Sequence, residues 1–169
     1  NLVKLFSIFE SINSKGKPLE DIDLIKSYIF QNIEESDYDE YLTKWGNLIT
    51  ETNDNLMDYL IVYVRANVSY YRNSIKLHNF KSLVENNFAE YYSTDTAQKT
   101  LLAFIDDMSK NVKYYKMISD INALESEGLS KKALSIFGMN NVADYNHTKA
   151  LYFKLLDMRD NNQLSDQEF

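Results

Sequence analysis

Between Leu101 and Ile118 the apolar side chains fall at Leu101, Phe104, Ile105, Met108, Val112, Tyr115 and Ile118. Steps of three and four residues keep one face of an α-helix apolar over about five turns, a pattern that a strand, whose faces alternate every second residue, cannot hold. A helix with so long an apolar face needs other elements to cover it.

Further segments with the same spacing are at hand. Leu2, Leu5, Phe6 and Phe9 predict a first helix that ends near Asn13. Ile22, Ile25, Ile29 and Ile33 make the inner stripe of a second, which starts at Glu20, Asp21 and Asp23, where the helix dipole favours carboxylates, and closes at Glu34 to Ser36. Tyr38, Leu42, Trp45, Leu48 and Ile49 predict a third helix, and Met57, Leu60, Ile61, Val64 and Val68 a fourth, with the polar stretch Thr52 to Asn55 between them. The pattern weakens from Ser69 to Lys76 and resumes at Phe80, Val84, Phe88 and Tyr91, after which Ser93, Thr94 and Asp95 can cap the long helix. Beyond Gly128 follow a short helix around Lys131 to Phe137, a loop from Gly138 to Asn146, and a last helix carrying Leu151, Leu155 and Met158.

With only one proline and four glycines in 169 residues, composition favours helices over a turn-rich β fold. The expected fold is all-α, an irregular bundle of about 7 to 8 helices. A helix-turn-helix hairpin is expected over 1–35 and a helical bundle over 36–169, together one compact domain. The helical pattern is already running at the first residue, so the chain is expected to be an internal fragment of a larger protein.

Charge narrows the function. Lys and Arg number 18 against 25 Asp and Glu, a net charge of −7, which speaks against a generic nucleic-acid-binding module because such a surface needs a cationic excess to displace counterions. Any DNA contact must be local, and the local basic-aromatic mix is Arg65, Tyr70, Tyr71 and Arg72, with Lys76 and Lys81 following. The 13 tyrosines can stack bases in principle. Adjacent pairs such as Tyr91–Tyr92 and Tyr114–Tyr115 point about 100° apart on a helix, so one member should pack inward and the other lie at the rim. Core packing is the expected role.

The chain has no cysteine, which removes disulfides, thiolate catalysis and Cys-based zinc sites. His78 and His147 have no His or Cys at ligand spacing, so no metal site is expected, and the acidic runs Glu34 to Glu40 and Asp106–Asp107 read as solvated helix ends and faces. No apolar run approaches the roughly 18 residues of a membrane span, and the expected location is the cytoplasm.

The stretch Ile8 to Phe30, IFESINSKGKPLEDIDLIKSYIF, places Phe9, Asn13, Ser14, Gly16, Pro18, Leu19, Asp23, Leu24, Ile25 and Lys26 in a distinctive order. It resembles the signature of the GmrSD-type restriction endonucleases: an apolar helix, then Asn-Ser-Arg-Gly-x-x-Leu, then Asp-Leu-Ile-Lys on the next helix. The resemblance implies a modification-dependent or phage-defence nuclease. In that family a nucleotide-hydrolysing first domain with a ParB-like core and an Asp-Gly-Gln-Gln-Arg motif is commonly followed by an HNH-type nuclease domain, so the parent protein would use a nucleoside triphosphate and a divalent metal. Neither motif occurs in this chain. The expectation is therefore a supporting segment without catalytic residues or a cofactor of its own, whose partners are the remaining domains of the parent chain and, through them, DNA.

The candidate site is the signature turn, Asn13, Ser14, Lys15, Gly16 and Lys17, with Asp23 and Lys26 on the following helix. Physically it reads as a helix exit whose amides and two lysines can approach a phosphate, or as a capped turn between two helices with no ligand. Lys15 stands where the family often has Arg, which keeps the charge but loses the planar fork. Asp23 and Lys26 share a helix face and can pair weakly, but the favoured role for Asp23 is to tie the turn by accepting its amides. Glu20 stands where the family tends to have a capping Ser, which predicts a weaker cap. The alternative to the whole reading is a helical protein-interaction or structural module with no nuclease role. A free-standing enzyme is disfavoured because no nucleophile, paired base or metal set converges.

Overall fold

The computed structural model describes residues 20–68, 71, 74–120, 122, 135 and 146–164. The expected first helix, the turn at 14–18 and the short helix at 131–137 lie outside the described residues. Among the described residues the structure has six helices and no strand. They are α1 (Asp21–Gln31), α2 (Tyr38–Glu51), α3 (Leu56–Asn67), α4, which begins as Leu77–Leu83, passes through a π-helical turn Val84–Phe88 and closes as Ala89–Tyr91, α5 (Ala97–Ser119) and α6 (Asn146–Asp160). The all-α expectation holds. Contacts group the described residues of 1–45 and 74–106 into one unit and those of 46–73 and 107–169 into another.

The first unit is built on phenylalanine. Ile25, Ile29 and Phe30 of α1, Phe80, Val84 and Phe88 of α4, and Leu101, Phe104 and Ile105 of α5 are buried. Phe104 takes the edges of Phe80 at 5.4 Å and Phe88 at 4.9 Å, the T-shaped geometry that aromatic quadrupoles favour. Lys99 N–H donates to Thr96 Oγ1 at 3.2 Å, so α5 is capped by Thr96 and not by the Ser93–Asp95 stretch before it.

The second unit is built on tyrosine. Tyr59 and Tyr63 of α3 and Tyr114 and Tyr115 of α5 are buried together with Phe153 of α6. Phe153 lies 6.2 Å from Tyr59, 6.1 Å from Tyr63 and 5.5 Å from Tyr114. Each of three phenols finds an acceptor: Tyr59 donates to the Met108 carbonyl at 2.7 Å, Tyr63 to the Asp107 carboxylate, and Tyr114 to Asp160 at 3.0 Å. Asn111 Nδ2 donates to the other oxygen of Asp107 at 2.9 Å. The turn from α2 to α3 passes through Asn53 at φ 50° and Asp54 at φ 62°. Asn and Asp tolerate this left-handed region better than other side chains, and the Asp54 amide returns to the Ile49 carbonyl at 3.0 Å to close α2.

All seven residues of the Leu101–Ile118 stripe are buried. Three other faces differ from expectation: along α3 and at its C-cap, Met57, Ile61 and Val68 are only part-buried, while Leu56, Tyr59, Val62 and Tyr63 join Leu60 and Val64 in the core. Leu42 is 42% exposed and Tyr41, 7% exposed, takes its place, because the Tyr41 ring can enter the core while its hydroxyl donates to Asp106 at 2.9 Å. In α6, Leu151 is 58% exposed and Leu155 and Met158 are half-buried, while Ala150, Phe153 and Leu156 face inward. The ring of Phe153 matches the aromatic surroundings offered by Tyr59, Tyr63 and Tyr114 better than a leucine does.

Candidate functional site

Of the signature residues, Asn13, Ser14, Lys15, Gly16 and Lys17 lie outside the described residues, and the structure places Asp23 and Lys26 on α1. Asp23 is the third residue of that helix, and its Oδ2 accepts the Glu20 backbone N–H at 3.1 Å. The Asp23 and Leu24 amides return to the Glu20 carbonyl at 3.0 and 3.3 Å. Asp23 thus closes the first turn in the way a capping-box carboxylate does, and α1 is capped by Asp23 even though Glu20 is a poor capping residue. No salt bridge joins Asp23 to Lys26 among the described residues. Lys26 is part-buried, and burial lowers its pKa against the opposing pull of the Asp23 charge.

Of the basic-aromatic candidates, Tyr70 and Arg72 lie outside the described residues, while Arg65 and Tyr71 are described. Arg65 is in the last turn of α3, where a cation meets the negative end of the helix dipole. Among the described residues its buried Nε has no acceptor and the buried Tyr71 hydroxyl has no partner. A buried donor left unpaired costs about 1–3 kcal/mol. Burial raises the Tyr71 pKa, and the Arg65 charge opposes that rise. Lys81 stands 5.0 Å from the centre of the Tyr28 ring, a cation–π contact.

The tyrosines are mostly structural. Tyr114 and Tyr115 are adjacent and both buried, against the expected inward-and-rim split, because Tyr114 meets Phe153 and Asp160 while Tyr115 meets Tyr59 at 5.2 Å. Tyr91 and Tyr92 do divide: Tyr92 stacks on Phe88 at 5.5 Å, and Tyr91 is exposed.

A cleft of about 460 Å³ opens where α2 and α5 end in the second unit, lined by Thr50, Glu51, Thr52, Tyr115, Lys116 and Asp120 among others. Four of its groups are engaged: Lys116 pairs with Glu51, Thr50 Oγ1 donates to the Gly46 carbonyl at 3.2 Å, and Thr52 Oγ1 to the Leu48 carbonyl at 2.8 Å. Nothing in it has the character of an activated nucleophile or a paired acid and base. Among the described residues no group of three His, Asp or Glu is placed to hold a metal ion, and no helix is long and apolar enough to cross a membrane.

What sequence reasoning missed is the isolation of Arg65. The residue stood out as basic, but its lack of a carboxylate among the described residues is a property of three-dimensional neighbours that spacing does not carry. No family model matches the chain, and neither a curated protein nor a solved structure is significantly similar to it.

Proposed function

We propose that the chain is a helical, non-catalytic part of a GmrSD-like phage-defence or modification-dependent restriction nuclease, in which the segment from Asn13 to Lys26 supports nucleotide or DNA recognition. The observation that supports this reading is Asp23. The acidic residue of the Asp-Leu-Ile-Lys motif holds the first turn of α1 through the Glu20 amide, which gives that part of the signature a physical task at the start of the helix. A cytoplasmic location, and the parent's other domains as partners, belong to the same reading.

The nucleotide and divalent metal implied for the parent do not fit the described residues of this chain alone. The Asp23 carboxylate is engaged by a backbone amide, Lys26 is part-buried, and among the described residues no metal-holding group stands beside them. The described residues therefore receive a supporting role and no chemical step.

The test is made in the full-length protein. Asn13→Ala and Lys15→Ala are expected to abolish nucleotide-dependent DNA cleavage while circular dichroism retains the helical signal. Unchanged cleavage removes the site and gives the lead to a helical interaction module.

A further inference from the structure

The cleft at the ends of α2 and α5 offers about 460 Å³, the size of a small organic molecule and far more than a bare ion needs. Two helices, α2 at Glu51 and α5 at Ser119, bring the negative ends of their dipoles to it. The opposite pole of α3 starts from the same place at Asn55, but Asp58 stands in the first turn of that helix and offsets it. Of the charged side chains in the lining, Lys116 and Glu51 pair with each other, which leaves Asp120. Asp120 is exposed. Its Oδ1 accepts the Asn122 backbone amide at 2.9 Å and the Asn122 Nδ2 at 3.1 Å, and its Oδ2 accepts nothing among the described residues. The threonines share this bias: Thr50 and Thr52 spend their hydroxyl protons on backbone carbonyls, so what they have left to offer is oxygen lone pairs.

We propose that this cleft binds a small organic cation, a molecule carrying an ammonium or guanidinium group, with Asp120 as its counter-charge. The open Oδ2 supplies a charge-assisted hydrogen bond, and the threonine oxygens are further acceptors in the lining. An anion is opposed both by the surplus carboxylate and by the two helix ends. A metal ion is a poor fit, because among the described residues no group of three His, Asp or Glu is placed to hold one. The Tyr115 side chain lines the same cleft, and an aromatic surface suits an organic cation better than a strongly hydrated ion. Asp120 and Thr50 are exposed, so a ligand reaches them without any element moving aside. The site stands on the second unit alone and does not rest on the nuclease reading, so the failure of one leaves the other in place.

The test labels the full chain with ¹⁵N and titrates agmatine, which carries a guanidinium and an ammonium, at constant ionic strength, with magnesium chloride and sodium succinate titrated as controls. The backbone amides of Asn53, Ser119 and Asp120 are expected to shift saturably with agmatine and with neither control. Asp120→Asn should weaken binding by about tenfold or more. Lys116→Met, which frees Glu51 to face the ligand, should tighten it by about two- to fivefold. Circular dichroism checks that both variants keep their helices. Shifts that do not saturate, shifts that magnesium or succinate reproduces at the same concentration, or agmatine binding that is unchanged in Asp120→Asn or no tighter in Lys116→Met overturn the proposal.

Discussion

Tyr63 and Tyr71 stand close together in the sequence and meet opposite conditions. Tyr63 is fully buried, lies edge-on to Phe153 and donates its hydroxyl to Asp107, which is held in turn by Asn111. Tyr71 is only part-buried, yet its hydroxyl is sealed from solvent without an acceptor, as is Arg65 Nε. The first region behaves as a core whose polar groups are closed off by protein. The second keeps two donors open at a cost the fold would otherwise avoid. In this protein, then, the role of a tyrosine follows from whether a carbonyl or carboxylate lies in reach of its hydroxyl, and composition alone does not decide it.

The contrast is broken most severely at Phe153, whose ring touches Tyr59, Tyr63 and Tyr114. Phe153→Ala should destabilise the protein by about 3–5 kcal/mol, read from the urea midpoint at constant m-value. A loss below about 1 kcal/mol would mean that the tyrosines hold their places without it.

A smaller effect sharpens the same contrast through pH. Burial, and then the hydrogen bond to Asp160, push the Tyr114 phenol up to about 12. Its contribution is fully present below the unfolded value of about 10 and is lost as pH rises toward the folded value. Burial opposes ionisation of Asp160, but its hydrogen bonds from Lys113 and Tyr114 outweigh that and hold the carboxyl below its ordinary value. That contribution is present above about 3.9 and is lost as pH falls through the depressed folded value. Tyr114→Phe should therefore flatten the alkaline limb of the stability profile and Asp160→Asn the acid limb, both measured by urea midpoints across pH. An unchanged profile in both variants would remove the Tyr114–Asp160 tie from the core.

The long stripe of α5 was legible because seven apolar residues hold one period without interruption, and burial follows them one by one. Asp23 was expected to tie the turn before it by accepting its amides; the amide it accepts among the described residues is that of Glu20 at the start of α1, and the turn itself lies outside them. The inward face of α6 was not legible: Leu151, Leu155 and Met158 compete with Ala150, Phe153 and Leu156 at the same spacing, and the choice depends on aromatic partners supplied by α3 and α5. Tyr41 displaced Leu42 for a similar reason, because Asp106 lies 65 positions away in sequence and 2.9 Å away in space. Arg65 and Tyr71 drew notice as a basic-aromatic mix, but their lack of partners is visible only once the helices are assembled.

The measurement that bears most directly on the division between closed and open polar groups is urea denaturation of Tyr63→Phe beside Arg65→Met. Tyr63→Phe leaves the Asp107 carboxylate short of a donor and should lose about 1–3 kcal/mol, whereas Arg65→Met removes a donor that had no acceptor and should stay within about 0.5 kcal/mol of the original protein or exceed it. The reverse order, a costly Arg65→Met and a neutral Tyr63→Phe, would show that Arg65 is a structural tie and contradict the account.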